Sequence, residues 1–556
     1  MIRQELIKIL NKAGVKNPDL TTPPNSEMGD FTLACFDLAK EQKKNPVEVA
    51  KELAEKIKTG DLIEKVQTAG PYLNFYLNAQ KIAELVLLEK DLLKLDLGKN
   101  KKVIVEFAHP NTHKAFHIGH LRTLITGETL SRILKEVGFE VIRANYQGDV
   151  GMQIAKCLWG LDQSKDEYED VKDKDIKTKV EFLGKVYAVG AQAFEKDQAI
   201  QRQIVTINEK IYNQDLDIKE VYKTTRQWSL DYFDHIYQRL DASFDRFYFE
   251  SEVFVRGKEI VQEYLEKDVF KIGDEGAIIF PGEKYDLHNR VFINQRGFPT
   301  YEAKDLALAE LQFSEHNPEK IIHVVGREQL GYFQVVFKAL ESTLPASKDK
   351  EYHLIYGWVS LKGGKMSSRT GKVILGEWLM DEVEKKVAGI MKDSKLEDSD
   401  EVIKKVSVSA IKYAFLKIGV KNDIKFDLQE SVSLSGDSGP YLLYIVARIR
   451  SILGKSEITE QKLIIPPEIS LIEQQLLLKL SDFSKAVRES AVEYDPSKIA
   501  KYLFDLAQDF NSFYNQCPVL KAEEGLRVFR LQLIKMIEQV MNKGLDLLGI
   551  ETVAKM

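Results

Sequence analysis

The chain has 556 residues, 44% apolar and 29% charged, with a net charge of −6. Single cores rarely grow past roughly 250–300 residues, so this length predicts several domains of ordinary globular composition. The acidic balance excludes a general basic coat for nucleic acid, though not a local basic groove.

The first residues, MIRQELIKILNKAG, follow an amphipathic helix pattern without a long apolar run, so no secretory signal is expected. No window approaches the roughly 18 apolar residues needed to cross a membrane. Cys35, Cys157 and Cys517 stand far apart without a CxxC. A disulfide framework and a structural zinc site are therefore not expected, and a reducing cytoplasm fits.

Residues 1 to 98 read as a separate α+β module. The helical pattern PVEVAKELAEKI (Pro46–Ile57) precedes an alternating strand, PYLNFYLN (Pro71–Asn78). Leu73, Phe75 and Leu77 take one face of it, and Tyr72, Asn74 and Tyr76 the other. A charged stretch then leads to VIVEF (Val103–Phe107), a short apolar run suited to a buried parallel strand. A loop, a helix ending at Gly138 and the strand EVIRANY complete a βαβ unit. Residues 99 to 430 are thus expected to form a Rossmann-type parallel-sheet domain. A mostly helical insertion is expected over about 160–290, and strands return at KIIHVVG (Lys320–Gly326) and YHLIYGWVSL (Tyr352–Leu361). Residues 431 to 556 read as an all-α bundle. Ile499, Leu503, Leu506, Phe510 and Phe513 recur at three- and four-residue steps.

Four of the nine histidines crowd one segment, FAHPNTHKAFHIGH: His109, His113, His117 and His120. On one continuous helix they would share a face and could hold a metal. Pro110 argues against that helix, and Asn111 and Thr112 are loop formers. The helix is expected to start near His117 or Ile118, which leaves no metal site. A helix N-terminus after a parallel strand binds anions through free N–H groups and the macrodipole. Two imidazoles there can donate to phosphate oxygens, and Gly119 leaves room for a nucleotide base or ribose.

HIGH (His117–His120) resembles the first signature of class I aminoacyl-tRNA synthetases, and GGKMSSRTGKV (Gly363–Val373) resembles their second. Longer stretches resemble arginyl-tRNA synthetases: VEFAHPNTHKAFHIGHLRT, NYQGDVGMQ, YEAKDLALA, SGPYLLYIVARIRSI and the ending GLDLLGIETVAKM. The resemblance implies an arginine–tRNA ligase that uses ATP, with Mg2+ carried on the nucleotide. It forms arginyl-adenylate and passes the arginyl group to the 3′ end of tRNA(Arg).

By position in the family's pattern, the resemblance implies arginine-binding roles for Glu106, Asn111, Tyr301, Asp305 and Gln329. A guanidinium is planar, permanently charged and rich in donors, so an acidic pocket suits it. A lone carboxylate inside an apolar strand, as Glu106 is, is costly to explain as packing. ATP-binding and charge-stabilising roles are implied for His117, Gly119, His120, Lys365, Met366, Ser367 and Arg369. The second lysine of the usual KMSK run is replaced here by Ser368. Lys114, in the loop before His117, is our expected substitute, with Arg369 as the competitor. His109 and His113 have no role in the pattern, and His113 is expected to face solvent.

The N-terminal module is implied to grip the tRNA elbow and the C-terminal bundle to read the anticodon. Tyr441, Arg448, Tyr514 and Asn515 are the candidates for RNA contact, since exposed aromatics stack on splayed bases. A monomer is expected. Three alternatives stay open: a class I synthetase for another amino acid, a non-catalytic RNA-binding relative, and a nucleotidyltransferase that shares the HIGH motif.

Overall fold

The computed structural model describes residues 2–556 apart from Lys94 and residues 363–373, 393–398 and 457–462. Helix α1 (Ile2–Lys12) precedes β1 (Leu20–Thr21), β2 (Phe31–Ala34), α2 (Phe36–Gln42), α3 (Pro46–Lys56), β3 (Ile63–Ala69), β4 (Tyr72–Leu77) and α4 (Ala79–Leu87). Asn45 caps α3 through its side chain, with Pro46 at the first helical position. The four strands form an antiparallel sheet in the order β1-β2-β4-β3. Leu73, Phe75 and Leu77 face the core as expected. Asn74 departs from the expected alternation and is 4% exposed, because Thr32 and Gln67 flank it on both neighbouring strands.

The central sheet starts at β5 (Lys102–Glu106), followed by α5 (Ile118–Glu136) and β6 (Glu140–Gln147). Five helices follow: α6 (Met152–Asp162), α7 (Lys165–Val171), α8 (Ile176–Lys196), α9 (Gln198–Asn213) and α10 (Leu216–Arg239). The chain then re-enters the sheet as β7 (Arg246–Phe249), parallel to β6. This corrects the insertion expected to run to about 290. A four-residue strand inside a long, charged helical stretch has too short a period to be read locally, and its partner is distant in sequence. After α11 (Glu250–Leu265), three short strands form a small antiparallel sheet: β8 (Lys271–Ile272), β9 (Ile278–Phe280) and β10 (Arg290–Ile293).

Helix α12 (Tyr301–His316), β11 (Lys320–Gly326), α13 (Leu330–Thr343) and β12 (Glu351–Tyr356) complete the main sheet, ordered β12-β11-β5-β6-β7 with every pair parallel. From β5 the chain moves one way to β6 and β7, while β11 and β12 add on the other side. The crevice beyond the carboxyl ends of β5 and β11 is therefore the switch point, where open α/β sheets bind ligands.

Strand β13 (Val359–Leu361) pairs with β14 (Ile424–Phe426), with α14 (Gly376–Ile390) and α15 (Ser399–Leu416) between them. The remainder is helical: α16 (Leu428–Ser431), α17 (Gly439–Gly454), α18 (Leu471–Ser481), α19 (Phe483–Glu493), α20 (Ser497–Gln516) and α21 (Glu524–Leu547). Ile499, Leu503, Leu506, Phe510 and Phe513 of α20 are all fully buried. Helix α5 is wedged between sheet and bundle. Thr123 bonds the β11 carbonyl of Val324 at 2.7 Å, the buried Arg122 donates to the carbonyls of Phe415 and Val420, and Thr129 donates to the bundle carbonyl of Leu548 at 3.4 Å. The helix behind the HIGH sequence is thus fastened to both halves of the molecule.

Candidate active site

The loop from β5 to α5 is tightly specified. Ala108, His109 and His113 adopt positive φ values of 76°, 50° and 62°, unusual for residues with a side chain. Backbone bonds hold these conformations: Phe107 N–H to Ala144 O at 3.1 Å and Thr112 N–H to Gly148 O at 2.9 Å. The His113 N–H donates to Ser229 Oγ on α10 at 2.9 Å. His113 is 1% exposed, with its ring nitrogens 3.1 Å from Thr112 Oγ1 and 2.8 Å from Thr225 Oγ1. Burial pulls its pKa down to about 3, so it is a neutral strut. The expectation that it faces solvent is wrong, because α10, distant in sequence, covers it. The His109 ring is also held neutral by burial, and its Nε2 has no hydrogen-bond partner among the described residues.

Helix α5 begins at Ile118, with His117 as its N-cap. His117 Nδ1 accepts from the N–H groups of Gly119 and His120 at 3.1 and 3.4 Å. His120 Nδ1 accepts from the His117 N–H at 3.1 Å. Two imidazoles thus form a reciprocal capping box. Each ring uses Nδ1 as an acceptor, so its neutral form carries the proton on Nε2, where it is a donor. Burial lowers both pKa values, that of His120 strongly, and Lys114 adds to the shift in each. The rings stack with centroids 3.7 Å apart. A Cβ on Gly119 would lie 2.9 Å from His117 Cε1. The space at Gly119 is therefore filled by the His117 ring, not left for a base or ribose.

Lys114 is exposed, and desolvation at the cleft wall together with the Lys156 charge lowers its pKa. It stands three residues before His117, the N-cap of α5. The other half of the nucleotide motif, Lys365, Met366, Ser367, Ser368 and Arg369, lies outside the described residues. Its flanks are described. Lys362 N–H bonds Phe426 O at 2.9 Å, while Ile374 O accepts from Ile118 N–H at 2.9 Å and Gly376 N–H bonds Phe116 O at 2.8 Å. The segment after the second motif is therefore bound to the HIGH turn itself.

The acidic residues gather on the sheet face covered by α12. Glu106 is 3% exposed. It accepts from His323 Nδ1 at 2.9 Å and Gln312 Nε2 at 2.6 Å. His323 Nε2 reaches Glu351 at 2.7 Å. Burial opposes the charge on His323, but the two carboxylates outweigh it and raise the pKa to about 10. Burial alone would raise the Glu106 pKa, and His323 reverses the sign. Glu106 is therefore not the lone carboxylate its sequence context implied.

Asp305 accepts from the Tyr332 hydroxyl at 2.6 Å, and burial pushes its pKa up to about 8. Tyr301 stands one turn earlier at the start of α12, 51% exposed at the rim. A Cβ at Gly148 would collide with Asn111 Oδ1 and lie 3.1 Å from Glu250 Oε1, so this glycine lets Asn111 and Glu250 share one wall. Glu250 is 3% exposed and bonds Lys304 Nζ at 2.7 Å. Gln329 lies exposed in the turn after β11. Sequence reasoning missed Glu250, His323 and Tyr146. Glu250 left one signal, a carboxylate directly after the aromatic run Phe247, Tyr248 and Phe249.

In the bundle, the Arg448 guanidinium lies 4.4 Å from the Tyr514 ring centroid. Asn515 is exposed. Tyr441 is 8% exposed, and its hydroxyl accepts from Asn511 at 2.7 Å. This corrects its expected RNA contact, because a ring covered by its own bundle has no face left for a base. Among the described residues there is no group of three or more metal-ligating side chains and no helix long and apolar enough to cross a membrane.

Residues 82–428 match the family model for the catalytic domain of class I (R) tRNA synthetases. Residues 442–556 match the DALR anticodon binding domain, and residues 1–77 the arginyl tRNA synthetase N-terminal domain. An arginine–tRNA ligase of Clostridium perfringens is 34% identical over 552 residues, covering 96% of this chain and 95% of its own. One from Treponema denticola is 32% identical, with 95% and 93% covered. Arginyl-tRNA synthetase of Thermus thermophilus superposes with a TM-score of 0.84 at 27% identity, with both chains fully covered. The Plasmodium falciparum enzyme shares the fold with a TM-score of 0.79 at 22% identity.

Proposed function

The chain belongs to the class I arginyl-tRNA synthetases, and on that premise we propose how its residues divide the work. The activity is arginine–tRNA ligation in translation, with arginine, ATP and tRNA(Arg) as substrates. Residues 1–98 grip the tRNA elbow, residues 99–430 carry the chemistry, and residues 431–556 meet the anticodon. The enzyme acts as a monomer in the cytoplasm.

Arginine sits at the switch point among Glu106, Asn111, Tyr301, Asp305 and Gln329, with Glu250 as a further carboxylate. The observation that carries this reading is the gathering of three carboxylates from separate elements at the carboxyl end of the sheet: Glu106 ends β5, Glu250 follows β7, and Asp305 on α12 neighbours the Lys304 that bonds Glu250 at 2.7 Å. A planar cation with several donors suits such a site better than lysine, which offers one compact charge.

ATP lies across the HIGH turn, bringing magnesium held by phosphate oxygens and water. The arginine carboxylate attacks the α-phosphorus in line, and pyrophosphate leaves. The Nε2–H donors of His117 and His120, with Lys114 and Lys365, stabilise the phosphate charge. Gly119 keeps His117 in place, and Met366, Ser367 and Arg369 take the ATP-binding roles that the family pattern gives them. This chemistry needs placement and charge, not a protein nucleophile. The family resemblance implies that activation itself requires bound tRNA, and the adenylate then passes its arginyl group to the 2′-OH of the terminal adenosine. At the bundle, Arg448, Tyr514 and Asn515 contact RNA.

Asp305→Asn tests the pocket. It is expected to raise the KM for arginine at least tenfold while the KM for ATP stays within twofold, and equal KM values for arginine would refute the assignment. Lys114→Ala and Arg369→Ala separate the two candidates for the absent lysine. Unchanged activation in the first with loss in the second would overturn the choice of Lys114.

A further inference from the structure

Tyr146 is the penultimate residue of β6. Glu106 pairs with Ala144 across β5 and β6, and His323 pairs with Glu106 across β11. Side chains alternate along a strand, so Tyr146 stands on the same sheet face as Glu106 and His323, two residues nearer the carboxyl end. Its partner on β7 is Tyr248, whose hydroxyl reaches Glu315 of α12 at 2.7 Å. That face is the one α12 covers, and it holds Asp305. Two residues beyond Tyr248 the chain reaches Glu250.

The Tyr146 hydroxyl is buried and has no hydrogen-bond partner among the described residues. An unmatched buried hydroxyl is uncommon and calls for an explanation. The two other phenols here are satisfied, since Tyr332 donates to Asp305 at 2.6 Å and Tyr248 to Glu315 at 2.7 Å. The groups facing Tyr146 are Glu250 on α11, Asp305 on α12, Glu106 on β5 and Asp149 after β6. Burial first, then their charges, hold the phenol protonated well above its ordinary pKa. A neutral O–H ringed by carboxylates yet bonded to none leaves an oxygen lone pair for a donor from outside, with acidic acceptors near for its proton.

We propose that the Tyr146 hydroxyl is a direct contact of the substrate guanidinium, an arginine-binding residue in addition to those the family pattern supplies. The inference rests on the pocket being the arginine site. The phenol oxygen accepts one guanidinium N–H, and Asp305 ionises beside it to balance the cation, since Glu106 and Glu250 are already paired with His323 and Lys304. The contact favours a substrate whose charge is spread over several N–H groups.

The test is Tyr146→Phe, assayed by pyrophosphate exchange with tRNA present and by thermal melting with and without arginine. The ring is retained and only the unmatched oxygen is lost. The free variant is expected to melt at or above the wild-type midpoint. Its KM for arginine rises about tenfold with kcat and the KM for ATP unchanged, and its thermal shift by arginine shrinks. An unchanged KM overturns the proposal. So does a lowered midpoint of the free variant, since that would mean the hydroxyl is bonded within the protein. Asp305→Asn in the same assays separates the two levels. If it raises the KM while Tyr146→Phe does not, the inference alone fails. If neither does, the arginine reading of the pocket fails.

Discussion

Glu106 on β5 and His323 on β11 face each other across the switch point, 2.9 Å apart and both nearly buried. Glu351 holds the far side of the same imidazole at 2.7 Å. Removing one member of a buried pair leaves an uncompensated charge, which costs roughly 3–5 kcal/mol. His323→Gln is expected to lower the urea midpoint at neutral pH and to raise the KM for arginine through Glu106. The folded pKa of about 10 lies above the ordinary 6.5. The stabilisation by His323 is therefore full below pH 6.5 and lost as the pH climbs to 10. Wild type and variant should converge in stability across that window, and a constant gap would refute the charged histidine.

Asp305 gives the pocket a pH signature. Burial raises its pKa to about 8 in the empty site. A bound guanidinium favours the ionised form, so binding below pH 8 releases a proton. The arginine KM should fall from pH 6 to 8 and level off above, with this slope absent in Asp305→Asn. A KM that rises over the same range would contradict the assignment.

Gly119 supports the nucleotide end through His117. A methyl group there would press on the His117 ring, 2.9 Å from Cε1, and disturb the Nδ1 acceptor that fixes the tautomer. Gly119→Ala should reduce adenylate formation about 100-fold, in line with losing one preorganised donor at a charged transition state. Melting should change little, since alanine suits a helix better than glycine. Retained exchange activity would show that the ring geometry is unimportant.

Much of this site was legible because its information is local. The α5 start follows from a buried strand, a proline and two histidines three residues apart. What escaped depends on long-range pairing. His323 is 217 positions from Glu106, so no window contains both, and Glu106 looked like a lone charge. His113 looked exposed because Thr225 and Ser229, which bury it, belong to α10. Strand β7 was hidden for the same reason: four residues between helices show no period until β6 pairs with them. Tyr441 looked available because its cover, Asn511 and Phe504, comes from α20.

The bundle offers a test independent of the chemistry. Arg448 stacks on Tyr514 at a half-exposed site. Arg448→Ala should weaken tRNA binding and reduce the salt slope by about one charge, leaving the arginine KM unchanged once tRNA saturates. An unaltered salt dependence would remove Arg448 from the RNA surface.

The central claim is that one pocket activates arginine at the HIGH turn of this chain. Its most direct test is pyrophosphate exchange with each of the twenty amino acids, with and without total tRNA. The account predicts exchange with arginine alone, and only when tRNA is added. Exchange with another amino acid, or none with arginine under either condition, would contradict it.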